Sequence, residues 1–253
     1  MYRFCTHFIR FFIALMVLAV WEATSVSDDE LRRAQAASDK GDIAGAEKLL
    51  TAHITKFPRD PSGFYLRGRE RFRLANIKGS VEDFDQYVKL SPEKENQLWE
   101  RGISQYYAGD FARGAEQFEL YQTYHDADVE NAAWRYLCQA RASDLKTARK
   151  DLLPIKGDRR PVLMDIYAMF KDEKSPADVL AAAEKVTGDE GQKKMAKFYA
   201  HLYLGIYHEA HGDDVKSLEH IRLAAEKYND GHYMGDVAKV HLKLRTSAAD
   251  KKP

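Results

Sequence analysis

The chain is poor in the residues that cross-link small modules and in those that break helices. Its 253 residues include two cysteines, Cys5 and Cys138, so neither a disulfide framework nor a cysteine zinc site can be assembled. Cys5 lies ahead of an apolar run rather than directly after one, where a lipid-accepting cysteine would stand. Cys138, in AAWRYLCQARA, reads as a buried, inert thiol. Only seven prolines and fifteen glycines interrupt the sequence, and no β-branched alternation lasts more than a few residues, which excludes a sheet-based fold. Neither charge sign is in excess, with 39 Lys and Arg against 39 Asp and Glu, and that balance excludes nucleic acid as the main partner. No phosphate loop, dinucleotide fingerprint, nucleophile elbow or paired-cysteine motif occurs, so no catalytic constellation and no cofactor is read.

One apolar run stands out, residues 11–21, with Arg3 and Arg10 ahead of it and small polar residues behind. It falls short of the roughly 20 residues that cross a bilayer but fits the core of an export signal. Ala23 and Ser25 place the cleavage after residue 25, so the chain is expected to be periplasmic or secreted. The alternative is an uncleaved segment that holds the protein at the membrane.

What the sequence does have is Ala, Leu, Glu, Lys and Arg in helical periodicity, and a repeat. Pro58 and Pro92 are 34 residues apart, as are Gly68 and Gly102, each glycine preceded by arginine. Gly41-Asp42 and Gly109-Asp110 are separated by twice that period, with Ala75-Asn76 in the slot between them. Gly205 to Gly212 repeats the seven-residue spacing of Gly102 to Gly109. The period is that of the tetratricopeptide repeat (TPR), in which a small residue lets two helices cross closely and a Gly-Asp turn ends one helix and starts the next. Gly41, Gly68, Gly102, Gly109, Gly205 and Gly212 are therefore read as structural glycines. The expected fold is all-α, a solenoid of helical hairpins. Repeats are placed at 28–60, 61–94 and 95–128, with a degenerate fourth at 129–157, so that 26–157 forms one array. An irregular helical connection at 158–191 leads to a last repeat at 192–229 and a closing helix at 233–245. A disordered tail is expected over 246–253.

The segment YLRGRERFRLANIKGSVEDFDQYVKLSP sets four arginines at alternate positions, Arg67, Arg69, Arg71 and Arg73. Arg67-Gly68 in a first helix with Asp83-Phe84 in the second predicts an ion pair, Arg67 to Asp83, across the hairpin. The next repeat keeps Arg101-Gly102 but has Gln117, so its pair is weaker or made elsewhere. Arg71 reads as a solvated charge. Arrays of this kind bind proteins or peptides through first-helix residues that point into the concave groove. Here those are Tyr65, Arg69, Phe72 and Arg73, with Trp99, Ile103, Tyr106 and Tyr107, residue types that dominate binding hot spots. His201, His208 and His211 raise a competing reading, a metal-binding or enzymatic protein built on the last repeat. The H-E-x-x-H spacing is missing, however, because His208-Glu209-Ala210-His211 is one residue short.

The segments WERGISQYYAGDFARGAEQFELYQTYHDADVENAAWRYLCQAR and KFYAHLYLGIYHEAHGDDVKSLEHIRLAA resemble the NlpI family of bacterial envelope lipoproteins. That family has the same order of TPRs, a Trp-Tyr-Leu helix, an irregular middle and one more isolated repeat. The resemblance covers roughly residues 61–245. It implies a dimeric, non-enzymatic periplasmic adaptor that brings peptidoglycan hydrolases to an envelope protease or into complexes.

Overall fold

The computed structural model describes residues 26–229 and 231–249, so the expected leader over 1–25 and the last residues of the expected tail lie outside the described residues. Among the described residues the regular structure is helical, with no strand. A helix α1 over residues 26–39 pairs with α2, Ile43–Lys56. Next come α3, Pro61–Arg73, with α4, Ile77–Leu90, and, after a short 3-10 turn at Pro92–Gln97, α5, Trp99–Ala108, with α6, Phe111–Gln122. These are three successive helical hairpins stacked as a solenoid, at the spacing the repeat period predicts.

Local chemistry sets each hairpin. Gly41 and Gly109 adopt left-handed φ of 82° and 81°, and the slot between them is filled by Ala75 at φ 64°, a conformation that strains a side-chain-bearing residue. The next residue then caps the following helix: Asp42 accepts from the Gly45 N–H and Asn76 from the Gly79 N–H. Between the helices of a hairpin, glycine makes room for a ring. A Cβ at Gly68 would lie 3.1 Å from Phe84, and one at Gly102 only 2.7 Å from Phe118.

Beyond α6 the pattern loosens. Helices α7, Val129–Ala142, and α8, Leu145–Lys150, form a shorter pair, and an irregular stretch leads to α9, Leu163–Phe170, and α10, Pro176–Glu184. The hairpin form returns with α11, Glu190–Ala210, and α12, Asp214–Arg222, crossing at Gly205, whose added Cβ would meet Ile221 at 2.5 Å. Helix α12 runs into one π-turn, Leu223–Lys227, and the chain finishes in α13, Tyr233–Ala249. The tail expected from residue 246 is thus helical as far as Ala249, because α13 continues past Arg245 with the Thr246 hydroxyl donating to the Leu242 carbonyl.

One core runs from α3 to α13. Trp134, Tyr106, Tyr136, Tyr203, Phe72, Phe118 and Phe198 are fully buried in it. Cys138 is buried beneath Gly114, and burial pushes its thiol pKa well up, which makes it a packing residue. No described helix is long and apolar enough to cross a membrane.

Candidate binding cleft on the concave face

The four alternating arginines separate by direction along α3. Arg67 donates through Nε and Nη2 to both oxygens of Asp83, at 2.9 and 2.7 Å, a bidentate pair inside the hairpin. Arg71 is not solvated: it reaches Glu47 at 3.1 Å and the same Asp83 at 3.0 Å, because α2 packs over this face of α3. In the next hairpin Gln117 replaces the aspartate. Arg101 is instead held by Asp85 at 2.7 Å and Glu95 at 2.8 Å, and it also donates to Gln117 at 3.0 Å.

Arg69 and Arg73 face the concave side, where they meet α13. The Arg69 guanidinium lies 4.9 Å from the centre of the Tyr233 ring, and Arg73 pairs with Asp236 at 3.1 Å and Glu70 at 3.0 Å. Tyr233 stacks on Phe72 at 5.8 Å and meets Trp99 edge-on at 5.1 Å. Further along, the Tyr107 hydroxyl bonds His241 at 3.0 Å, and Lys243 donates to the Leu74 carbonyl. Buried Glu209 of α11 ties the far end together, accepting from Tyr106, Arg141 and Arg245 and facing His241 Nε2 at 3.1 Å. Burial opposes its charge, but the bonds from His241 and Arg245 dominate and hold its pKa well below the usual carboxylate range.

The expected groove therefore needs correcting. Phe72, Ile103 and Tyr106 are core residues with almost no exposed surface, and Tyr107 is partly buried against that core. The chain's own last helix lies along the groove and takes the place a partner would occupy. Tyr65 donates to buried Glu100 at 2.8 Å, and Arg69 lies over its ring. Sequence reasoning missed this arrangement because Tyr233, Asp236, His241 and Lys243 lie far along the chain from the helices they meet.

Where α13 begins, His232 and Tyr233 divide the remaining concave space into two cavities. One, of about 380 Å³, is polar and includes Ser38, Arg69, Glu70, Arg73 and Asp236 in its walls. The other, of about 320 Å³, is mainly apolar, walled by Trp99, Ile103, Phe118, Trp134, Tyr199 and Tyr233. Of the expected groove residues, Arg69 and Arg73 line the first and Trp99 and Ile103 the second.

A charged cluster closes one end of the apolar cavity. Arg160, from the irregular stretch after α8, donates to Asp128 at 2.6 Å, to Asp158 at 2.5 Å and to Glu130. Burial drives the Glu130 pKa up to about 7 although Arg160 opposes it, and the Tyr203 hydroxyl donates to the same carboxyl at 2.7 Å. Asp158 goes the other way. Burial works against its charge, but hydrogen bonds from the Arg160 side chain and backbone keep its pKa below the ordinary value. As a sequence, DADVE reads only as carboxylates at a helix start, and KGDRRP only as a loop. Nothing local marks these two segments as neighbours.

The histidines do not form a metal centre. His201 Nδ1 meets His220 Nδ1 at 2.9 Å and His208 stacks on His220, whereas His211 turns away to stack on Tyr207. Among the described residues, no three His, Cys, Asp or Glu side chains are placed to hold a metal ion.

No family model matches the chain. It is similar to the Protein SGT1 homolog of Bos taurus, 28% identical over 98 residues, a match covering 39% of this chain and 29% of that protein. Less than a third of that relative's length is therefore spanned. Among solved structures it is similar to MamA 41-end from Desulfovibrio magneticus RS-1, with a TM-score of 0.49 and 15% identity over 79% of this chain and 93% of that one. It is also similar to the MamA RS-1 ArsTM double mutant, with a TM-score of 0.49 and 14% identity over 86% and 96% of the two chains.

Proposed function

We propose that the chain is an exported, non-enzymatic scaffold that holds a segment of a protein partner at the concave cleft where α13 begins. The observation that carries this reading is the cleft itself, in which Trp99, Trp134, Tyr199 and Tyr233 stand beside Arg69 and Arg160. Aromatic and arginine side chains together make the contacts that dominate protein recognition, the rings because they bury much area for little lost side-chain freedom and arginine because its fork of donors meets several partners. A helical-repeat frame presents such a cleft on rigid elements. The resemblance to the NlpI family directs the choice of partner to peptidoglycan hydrolases or envelope proteases, and the choice of compartment to the periplasm. A homodimer belongs to the same reading.

Site-specific photocrosslinking tests it. A benzophenone side chain in place of Trp99 is expected to trap a defined protein in intact cells, and one in place of Val215, 79% exposed on α12, is expected not to. Trapping at Val215 alone would move the binding surface to the outside of the solenoid. The export step is read by amino-terminal sequencing of the protein recovered from the envelope, with Val26 as the expected first residue.

A further inference from the structure

The charged end of the apolar cavity is not balanced. Asp128 and Glu130, at the start of α7, and Asp158 share a single guanidinium, that of Arg160, so three carboxylates face one cation. The hydrogen bonds show which acceptor is left over. Asp158 takes the fork of Arg160, receiving Nε at Oδ1 and Nη2 at Oδ2. The two oxygens of Glu130 are engaged by Arg160 and by the Tyr203 hydroxyl. Asp128 receives both Arg160 Nη2 and the Glu130 N–H at one oxygen, Oδ1, which leaves Oδ2 without a hydrogen bond from the described residues. Asp128 forms part of the cavity wall and keeps 17% of its side-chain surface exposed, so an occupant can reach it. Glu130 registers the same surplus: burial, with Asp128 and Asp158 beside it, raises its pKa to about 7 against the opposing Arg160.

We propose that this cavity takes a lysine side chain of the bound protein segment, with the ammonium at Asp128 Oδ2 and the methylene stem against Trp99 and Tyr233. Charge complementarity decides for a cation. A carboxylate there would join three others beside one arginine, and a hydrocarbon alone would leave the surplus unopposed. The apolar wall decides what carries the charge. The cavity holds about 320 Å³ between Trp99, Phe118, Trp134 and Tyr233, and a lysine lays its stem on such a surface while its head keeps polar partners. Aromatic walls also favour a cation electrostatically. Between the two basic side chains, geometry favours lysine. The fork-binding carboxylate, Asp158, is already filled by Arg160, and a single remaining carboxylate oxygen suits a point-like ammonium better than a second guanidinium. A divalent ion is not the complement, because among the described residues no three His, Cys, Asp or Glu side chains are placed to hold one. This inference rests on the scaffold reading and names the side chain its cleft selects.

The test uses the full chain carrying Trp21→Phe, which leaves Trp99 and Trp134, both in the cavity wall, as its tryptophans. It is run at about pH 8, where Glu130 is ionised and a lysine ammonium still carries its charge. Titration with N-acetyl-lysinamide is expected to give a saturable change in tryptophan emission, with a dissociation constant on the order of 1 mM. N-acetyl-norleucinamide, the same chain without the ammonium, is expected to bind about tenfold more weakly. Asp128→Asn keeps the capping oxygen and removes the charge. It is expected to weaken lysinamide binding about tenfold and leave norleucinamide binding unchanged, while the melting curve shows that the protein still folds. A second arm needs no substitution at the site: raising the salt from about 0.05 M to about 0.5 M is expected to weaken lysinamide and not norleucinamide. Equal binding of the two amides, or of lysinamide by the Asp128→Asn protein, would overturn the inference, as would the absence of any lysinamide response. Tighter binding of N-acetyl-argininamide would overturn the lysine assignment. Crosslinking at Trp99 without a lysinamide response would leave the scaffold reading standing and reject only this one.

Discussion

The α3–α4 hairpin and the α11–α12 pair use the same device, a glycine in the first helix beneath a large side chain of the second, and they end differently. After α4 the chain turns at Pro92 and lays down another hairpin. After α12 it passes through a π-turn, and α13 returns to the face of α3. The first arrangement is set within one repeat and the second by contacts across the whole molecule. A repeat motif therefore fixes how neighbouring helices cross but not where the array stops, and here the array stops by filling its own groove.

The comparison can be broken most severely at Asp83, which neutralises both Arg67 and Arg71 inside the first of these hairpins. Asp83→Ala leaves two guanidinium groups without their shared partner and is expected to cost about 3 to 5 kcal/mol in denaturant unfolding. Gln117→Ala, at the matching place in α5–α6, is expected to cost about 1 kcal/mol, because Arg101 keeps Asp85 and Glu95. Equal costs would show that the two hairpins are held in the same way.

Next come the crossings. Alanine at Gly205 or Gly102 would press on Ile221 at 2.5 Å or Phe118 at 2.7 Å, whereas at Gly68 it would stand 3.1 Å from a ring that can shift. Losses of about 2 to 3 kcal/mol are expected at the first two positions and about 1 kcal/mol or less at Gly68, with calorimetry checking the order. Gly102→Leu, with a branched side chain, is expected to exceed its alanine counterpart.

Acid sharpens the contrast. Burial lowers the pKa of His201 to about 4 and also lowers those of His208, His220 and His241, all in the C-terminal part. Below their unfolded value near 6.5 the unfolded chain takes up protons that the folded chain refuses, so the stability these histidines contribute to the C-terminal part is lost as pH drops from about 6.5 toward 4. Glu130 on α7, with its pKa raised to about 7, acts with the opposite sign. Glu209, with its depressed pKa, adds to the loss at still lower pH. Hydrogen exchange at pH 5 is thus expected to speed up in α11–α13 more than in α3–α4, and uniform acceleration would contradict the assignment. The smallest effect is expected at Ala75. Ala75→Gly relieves a left-handed residue at φ 64° and should raise stability by about 1 kcal/mol, seen as a higher melting temperature.

The readable parts of the sequence are those whose cause is close along the chain. The Gly41 and Gly109 turns, the Gly68 and Gly102 crossings and the Arg67–Asp83 pair each depend on residues within one repeat, so a period of 34 exposes them. The cleft is another matter. Trp99 and Arg69 stand out as aromatic and basic residues on first helices, but Asp128, Trp134, Arg160 and Tyr233 acquire a role only once α7, the stretch before α9 and the start of α13 converge. Glu130 shows the difference most clearly. At the start of α7 it looks like an ordinary helix-start carboxylate, and only the loss of solvent, with Asp128 and Asp158 beside it, raises its pKa to about 7 against the opposing Arg160 and Tyr203.

The sequence by itself determined that the chain would be helical, that its helices would pair with a 34-residue period, and which glycines would let them cross, because capping, left-handed turns and close helix crossings are short-range effects. Tertiary structure alone decided that α13 would enter the groove, that Phe72, Ile103 and Tyr106 would become core, and that the open concave space would lie beside Trp134 and Arg160. Those outcomes depend on packing between segments far apart in the chain, and hydrophobic burial favours such packing without regard to sequence distance.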